Sequence, residues 1–170
     1  MSFEIFPFWR GVSSKYDLKA PTVNVTRLDR KPKNSGQSFH KLADAWFEKR
    51  FGIPFRSQAL HVTSRLLTAR TYGATPAHVM RIIPLSDYQY CWSEKTQDLL
   101  FGANALANCG KEEVEQYLES MEYRTDGLEE AHASGHEVML RCGTYIAIPM
   151  HMLEHEEPKE PKSLIVLSGG

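Results

Sequence analysis

A segment near the end of the chain, residues 136–149, most limits what this sequence can fold into. It contains two apolar runs separated by Cys142 and Gly143 and closed by Pro149. Two strand-like runs with a turn signal between them predict a β-hairpin. Glu137 opens the first run, and a carboxylate at the start of a core strand must reach the rim of the sheet or be held there for chemistry. The segment therefore predicts a strand-rich core and makes Glu137 the first candidate functional residue.

The other elements predicted along the chain are short and follow no regular order. Apolar residues from Phe39 to Phe51 recur at spacings of three and four between Ser38 and Gly52, which predicts an amphipathic helix. The remaining patterns predict a strand at 55–63, a short helix at 64–72, neighbouring strands at 78–83 and 88–92, helices after Gly110 and from Leu128, and a last strand at 163–167.

This order of elements predicts an α+β fold, with one domain, a mixed or antiparallel β-sheet core and peripheral helices. Strands and helices do not alternate in βαβ units, and the phosphate-binding glycine motifs of Rossmann and P-loop proteins are absent from the sequence. Residues 1–36 have an aromatic start and a basic stretch from Arg27 to Lys33. We expect them to form an arm packed on a single domain made by residues 37–170.

Composition limits the partners and the compartment. The 170 residues carry 20 Lys+Arg against 21 Asp+Glu, so no overall basic field points to nucleic acid or to an anionic membrane. Three cysteines without a CxxC pair argue against a disulfide framework and against a zinc ribbon. The sequence has no apolar run of membrane-spanning length and no signal-peptide pattern at its start. We expect a cytoplasmic protein with no membrane partner, of a kind encoded by bacteria or phages.

Three motifs together resemble those of the ADP-ribosyltransferase family. They are Phe55-Arg56-Ser57 on an early strand, Trp92-Ser93 at the end of a middle strand, and the segment that begins at Glu137. The resemblance covers about residues 38–150. It implies an ADP-ribosyltransferase-like domain in which an Arg or His, a Ser or Tyr, and a Glu converge on nicotinamide adenine dinucleotide (NAD) as the substrate.

The resemblance implies a role for each residue that matches a motif. Glu137 stabilises the positive charge that develops on the ribose when the nicotinamide bond breaks, and Ser93 fixes the rotamer of that carboxylate. Arg56 binds the two phosphates of NAD through its bidentate guanidinium. An aromatic ring stacks on the nicotinamide, and the candidates are Tyr72, Tyr90 and Trp92.

Two positions leave the subclass open. His61, in a His-x-Thr-Ser sequence, fits the family's histidine class about as well as Arg56 fits the arginine class, although a lasting positive charge for phosphate favours Arg56. Members that modify arginine carry a second acidic residue two positions before the catalytic Glu, where this chain has Gly135. An arginine acceptor is therefore not supported, and the acceptor is expected to be another site on a protein or a nucleic acid.

Structural explanations exist for the same residues. Glu137 could pair with a neighbouring cation at the sheet edge, Arg56 could cap the exit of the preceding helix, and Ser93 could be the N-cap of a helix over 94–101. An apolar strand more often contains a histidine such as His61 as part of the core, and the aromatic residues of 88–92 have the pattern of core residues.

Metal chemistry is a weaker reading. His132, His136, Glu137 and Cys142 are dense enough to suggest a ligand set, but they lack the spacing of zinc hydrolases and deaminases. His151 and His155 are four residues apart in an acidic stretch, which is more typical of a solvated surface. We expect no metal cofactor.

Different function classes follow from these patterns. The first is an enzyme that transfers ADP-ribose from NAD to a macromolecular acceptor, or that hydrolyses NAD. The second is a non-catalytic binding or inhibitory module on the same fold. The third is an RNA phosphotransferase-like enzyme, which requires several Arg and His side chains around one phosphate, with Arg30, Arg56, His61, Arg65 and Arg70 available.

Overall fold

The computed structural model describes residues 2–31 and 36–153, and in these ranges the chain is one α+β domain with two antiparallel sheets. The strands are β1 Trp9–Gly11, β2 Thr22–Val25, β3 Leu60–Val62, β4 Val79–Pro84, β5 Tyr88–Trp92, β6 Val138–Cys142 and β7 Thr144–Pro149. The α-helices of the described residues are α1 Gln37–Phe51, α2 Phe55–Gln58, α3 Leu66–Tyr72, α4 Leu99–Ala105, α5 Lys111–Ser120 and α6 Leu128–Ser134. The α+β class predicted from the sequence is confirmed.

The two sheets differ in the number and order of their strands. One contains four strands in the order β1-β4-β7-β2, and the other contains three in the order β3-β6-β5. Main-chain bonds between Trp9 and Thr63 connect them, with the Trp9 amide 2.7 Å from the Thr63 carbonyl oxygen and the reciprocal pair at 2.9 Å. Strand β1 is therefore fixed beside the end of β3, and this junction later forms one wall of the site.

The predicted hairpin of residues 137–149 does not form, and this prediction is wrong. Strands β6 and β7 follow each other across Gly143, but β6 pairs with β3 and β5, whereas β7 pairs with β2 and β4. The Ser86 hydroxyl accepts hydrogen bonds from the amides of Gly143 and Thr144, at 3.0 and 3.1 Å. These bonds satisfy the corner where the chain passes from one sheet to the other.

The prediction that the strands at 78–83 and 88–92 are sheet neighbours is also wrong. Strand β4 lies in the four-stranded sheet and β5 in the three-stranded one, and the chain crosses between the sheets in the loop that contains Ser86. A short loop with a strand on each side matches a hairpin and a sheet-to-sheet crossing equally well. Pairing with strands that are distant in sequence decides between the hairpin and the crossing.

The hydrophobic core lies in two layers on either side of the three-stranded sheet. Strand β6 contributes to both, because successive side chains point to opposite faces. Val138 and Leu140 face the other sheet and pack with Trp92, Met80 and other buried residues. Met139 faces the helices and packs with Phe47, Leu118 and their neighbours from α1, α4 and α5. Burial on both faces explains why the sequence of β6 is an apolar run.

Helices in the described residues begin and end close to where the sequence signals place them, with one correction. Helix α1 ends at Gly52, whose φ of 75° lies in the left-handed region and whose amide bonds to the Glu48 carbonyl oxygen at 2.8 Å. Helix α4 begins at Leu99 and is capped by the Asp98 side chain, which accepts from the Leu100 amide at 2.7 Å. Ser93 is therefore not the N-cap of a helix over 94–101.

The strand predicted for residues 55–63 is wrong in its first half. Residues Phe55–Gln58 form α2, and the strand β3 covers only Leu60–Val62. Proline at position 54 favours the start of a helical turn, and the Asp44 carboxylate of α1 accepts from the Ser57 amide at 3.1 Å. Arg56 therefore lies on a helical turn and not on a strand.

The first 36 residues contribute two edge strands to the four-stranded sheet, β1 beside β4 and β2 beside β7. The strand predicted at 163–167 falls outside the described residues. No helix within 2–31 and 36–153 has both the length and the apolar character that a membrane span requires.

Candidate active site

Glu137 is placed by the pairing of β6 with β3. Its amide donates to the Gln97 carbonyl oxygen at 2.8 Å, which ties the start of β6 to the loop before α4. Alternation along β6 puts Glu137 on the same face as Met139, and the strand register puts His61 opposite Met139. Glu137 and His61 are therefore diagonal neighbours on one face of the sheet, within reach of each other.

The side chains of Glu137 and His61 form a buried pair. His61 Nδ1 lies 3.1 Å from Glu137 Oε2, and the two side chains are only 14% and 15% exposed. Burial and the charges of Arg30, Arg56 and Arg10 hold the pKa of His61 well below its usual range, so the imidazole is neutral at pH 7. With Glu137 ionised, the ring proton sits on Nδ1 and is donated to the carboxylate.

This tautomer leaves the other ring nitrogen as a buried acceptor. His61 Nε2 has no hydrogen-bond partner in the described residues. Burying such an atom costs about 1–3 kcal/mol when nothing donates to it. The pair therefore presents an unused acceptor beside a carboxylate, which suits a ligand hydroxyl.

Three guanidinium groups lie around this pair, from Arg10 on β1, Arg30 after β2 and Arg56 on α2. Burial, with the like charges of Arg10 and Arg56, lowers the pKa of Arg30 from 12.5 to about 10, so it stays protonated at pH 7. Arg30 is held by its side-chain bond to the Ala59 carbonyl oxygen at 3.4 Å and by its amide bond to the Ser57 carbonyl oxygen at 3.1 Å. Like charges gathered in this way favour an anionic ligand between them.

A second carboxylate, Asp98, lies on the other side of Glu137. The two carboxyl groups are near enough to shift each other's pKa, and the Tyr72 hydroxyl donates to Asp98 Oδ2. Burial raises the pKa of Glu137, although Arg56, the interaction with Asp98 and Arg30 act in the opposite direction. Burial and the charge of Glu137 raise the pKa of Asp98. Groups of this kind, with shifted pKa values and mutual contacts, are typical of functional sites.

All these residues line one cavity of about 630 Å³, a size common for small-molecule sites. Its lining contains six arginine or lysine side chains against two carboxylates. This excess of positive charge is local, because the whole chain has a net charge of −1. The charged lining residues are Arg10, Arg27, Arg30, Lys31, Arg56, Arg65, Asp98 and Glu137.

Four of the six site residues proposed from the sequence meet in this cavity: Arg56, His61, Tyr72 and Glu137. Arg56 and His61 were alternative candidates for one site position, and both line the cavity. The structure therefore does not require a choice between them. The Tyr72 ring is about half exposed, and its hydroxyl is held by Asp98 at the cavity wall.

Ser93 and Tyr90 are not among the described residues that line the cavity. The buried Ser93 hydroxyl donates to the Met121 carbonyl oxygen at 2.5 Å and accepts from the Lys95 amide at 3.0 Å. Tyr90 packs against the core between the sheets, where its ring lies 6.3 Å from that of Phe3. Both side chains are engaged in holding the fold.

Gly135 occupies a backbone position that suits glycine and not an acidic side chain. It ends α6 with a φ of 70°, in the left-handed region where side chains are strained. A Cβ atom there would lie 2.1 Å from Arg65 Nε. The Thr63 hydroxyl also donates to the Gly135 carbonyl oxygen at 2.9 Å, which fixes the approach to Glu137.

Sequence reasoning missed Arg10 and Asp98 as residues of the cavity, and it named Arg30 only within a basic stretch and among the cations available to a phosphotransferase. Asp98 precedes the apolar residues Leu99 and Leu100, a helix-start signal that predicts a cap but not a place beside Glu137. Nothing in the local pattern of Trp9-Arg10-Gly11 distinguishes Arg10 from a surface residue. Only the pairing of β1 and the contact with β3 bring it to the site.

The metal hypotheses find no support in the described residues, where no group of three or more His, Cys, Asp or Glu side chains is placed to hold a metal ion. The His132 ring packs against Phe6 and Phe8, with centroids 5.3 and 5.4 Å away. His136 Nδ1 lies 2.9 Å from the Ser93 carbonyl oxygen. His155 falls outside the described residues.

Comparison with known proteins gives no match to this chain, whether among family models, curated proteins or solved structures.

Proposed function

We propose that the protein is an NAD-dependent ADP-ribosyltransferase, which moves ADP-ribose from NAD to a protein or nucleic-acid acceptor. The observation that carries the proposal is the buried Glu137–His61 pair, whose Oε2 and Nδ1 atoms are 3.1 Å apart, in a cavity where three arginines act on the pair. An ADP-ribosyltransferase-like fold, with two antiparallel sheets and the glutamate at the start of a central strand, is part of the same proposal.

The carboxylate is suited to the bond that breaks. Cleavage of the nicotinamide–ribose bond places positive charge on the ribose ring, and a negative group beside that ring stabilises the transition state more than the ground state. Glu137 takes this role. Its low exposure strengthens the effect, because charges interact more strongly where water is excluded.

The histidine and the arginines are suited to the rest of the dinucleotide. A ribose hydroxyl that donates to His61 Nε2 would satisfy an acceptor that otherwise has no partner in the described residues. The guanidiniums of Arg10, Arg30 and Arg56 match the two phosphates in charge and in fork geometry. The ring of Tyr72 offers the nicotinamide a face to stack on.

The state of the cysteines agrees with a cytoplasmic enzyme. The three cysteines, Cys91, Cys109 and Cys142, are free thiols, which is usual where disulfides do not form. The macromolecular acceptor reaches the site from the open side of the cavity, where Tyr72 and Phe101 are exposed.

A second candidate function is an RNA phosphotransferase-like enzyme. The observation in its favour is the same group of three arginines and one histidine, since such an enzyme needs several cations around one phosphate. The Glu137 carboxylate in their midst favours glycosyl chemistry instead, because it repels a phosphate and stabilises a ribosyl cation. A non-catalytic module would keep the cavity and bind NAD without cleaving it.

The test is nicotinamide release from labelled NAD by wild-type protein and by Glu137→Gln, with and without cell lysate. We expect the substitution to reduce release by at least about 100-fold, the loss typical of removing one electrostatic catalytic group. Glu48→Gln is the matched control, because Glu48 is exposed on α1 and does not line the cavity. Labelled ADP-ribose attached to a macromolecule identifies a transferase, and free labelled ADP-ribose identifies a hydrolase. Binding of NAD without release of nicotinamide identifies the non-catalytic module.

A further inference from the structure

Asp98 and Glu137 are the two carboxyl residues that line one cavity. The backbone fixes their approach, because the Glu137 amide donates to the carbonyl oxygen of Gln97, the residue just before Asp98, at 2.8 Å. Two neighbouring carboxyl groups in a partly buried cavity do not both ionise easily, so they hold one proton between them over a range of pH. The pair is thus a ready proton acceptor and donor.

Asp98 lies on the open side of this pair. Glu137 is 15% exposed, whereas Tyr72, which donates to Asp98 Oδ2, is 49% exposed. The other carboxylate oxygen of Asp98 accepts from the Leu100 amide at 2.7 Å. Asp98 is therefore rigidly held between the buried carboxylate and the part of the cavity that an acceptor can enter.

We propose that Asp98 is the catalytic base that removes the proton of the acceptor nucleophile, while Glu137 stabilises the ribosyl cation. This inference rests on the proposed function. The bond between ribose C1′ and nicotinamide breaks, nicotinamide leaves as a neutral molecule with the bonding electron pair, and the acceptor forms a new bond to C1′. The acceptor's proton moves to the Asp98 carboxylate and from there to water.

The inference narrows the class of acceptor. A base is needed only when the attacking atom carries a proton that must leave, as in a hydroxyl or a nitrogen-bound N–H group. In arginine-modifying relatives the second acidic residue lies two positions before the glutamate, and Gly135 occupies that position here. In this chain the second carboxyl group comes from the loop before α4 instead.

The ionisation of Asp98 depends on charged groups from several elements. Glu137 at the start of β6 disfavours its charge, and the Tyr72 hydroxyl at the end of α3 favours it. His61 on β3 is neutral at pH 7, and Arg10, Arg30 and Arg56 surround that side of the cavity. The rate of transfer should therefore rise with pH as the carboxyl pair loses its shared proton.

The experiment measures NAD cleavage and transfer to lysate between pH 5 and 9 for wild type, Asp98→Asn and Tyr72→Phe. We expect Asp98→Asn to lower transfer by about 10²–10⁴-fold and to abolish its rise with pH, with little change in KM for NAD. Asparagine is also a good N-cap, so α4 should persist. Tyr72→Phe removes a donor to the charged form, so the rise should move to higher pH.

Asp87→Asn is the matched control, because Asp87 is exposed in the loop before β5 and should leave both rate and pH profile unchanged. Cleavage and transfer that survive Asp98→Asn with the wild-type pH profile would overturn the role of Asp98 and leave the proposed function intact. Absence of NAD cleavage by wild type would overturn both.

A carboxyl-carbon NMR titration tests the pair without substrate. In Glu137→Gln the Asp98 signal should titrate at lower pH than in wild type, because the neighbouring negative charge is gone. An unchanged titration of Asp98 would show that the two groups share no proton and would refute the inference by itself.

Discussion

Burial of the Glu137 carboxylate is an advantage in the proposed mechanism, but it has a cost in stability. Burial raises its pKa above the ordinary value of 4.5, even though Arg56, Asp98 and Arg30 offset part of the effect. A group held charged against its preference destabilises the folded state, and such costs are common at active sites. Replacing it should therefore weaken activity and strengthen the fold.

Glu137→Gln should raise the free energy of unfolding at pH 7.5. The pKa of Glu137 is raised in the folded state, so the protonated carboxyl group favours folding. This contribution to the free energy of unfolding is complete below pH 4.5 and is lost as the pH rises through the folded-state pKa. The gain from glutamine should thus vanish near pH 4 and grow toward neutral pH. Urea denaturation of both proteins across this range measures it, and a variant less stable than wild type at pH 7.5 would contradict the account.

Ser93→Ala should act on stability and leave the chemistry intact. The substitution leaves the Met121 carbonyl oxygen and the Lys95 amide without their hydroxyl partner at a partly buried site, at a cost of about 1 kcal/mol. Nicotinamide release per folded molecule should stay at the wild-type level. Ser120→Ala, which removes an exposed hydroxyl on α5, is the control. Loss of release without loss of stability would instead favour the catalytic role predicted from the sequence.

Sequence motifs located strands and their polar residues but not the faces on which these residues lie. Glu137 and His61 reach the cavity from the start of β6 and from β3, whereas Tyr90 on β5 packs against the core between the sheets. In a strand the face changes with each residue, so one step of register decides between a site and the core. Register depends on the partner strand and is absent from the local pattern.

At the scale of elements, strand β6 connects the two layers of the hydrophobic core. It is the central strand of its sheet, it supplies residues to both core layers, and it begins directly after Glu137. The hairpin expected for residues 137–149 is replaced by a crossing between sheets at Gly143. Each half of that segment then has partners from elsewhere in the chain, which anchors Glu137 more firmly than a local hairpin would.

Leu140→Ala should destabilise the protein by about 2–5 kcal/mol, because it opens a cavity in the core between the two sheets. Leu140 is fully buried, whereas Leu67 on α3 is 74% exposed. Leu67→Ala is the matched control and should change stability by less than about 0.5 kcal/mol. Equal effects in denaturant titrations would argue against the burial of β6.

At the scale of the whole molecule, the cavity joins segments from Trp9 to Tyr145, with contributions from both sheets and from α1, α2, α3 and α4. Its six cationic side chains are concentrated on one surface of a chain with almost no net charge. The repulsion among them is relieved when an anion binds, so ligand binding and folding stability should be coupled.

ADP should raise the Tm of the wild-type protein, and the rise should shrink with added salt, since exposed charge interactions are screened. At about 100 times the dissociation constant, the stabilisation should reach about 2.7 kcal/mol. Arg30→Gln should weaken binding at least about tenfold, which corresponds to the loss of one charge-assisted contact. Arg50→Gln is the control, because Arg50 is exposed on α1 outside the cavity. An equal response of the two variants would place ADP elsewhere.

The sequence by itself determined the α+β class, the span of α1 and the short helix before Gly73, and it singled out Glu137 as a candidate site residue. These features follow from local periodicity, capping residues and a carboxylate in an apolar run, all of which are written in neighbouring positions. Tertiary structure alone decided that β4 and β5, and β6 and β7, lie in different sheets, and that Arg10, Arg30 and Asp98 join Glu137. Those outcomes depend on which distant strands pair and on which face each side chain then lies, and pairing between distant strands is not encoded in any short stretch of sequence.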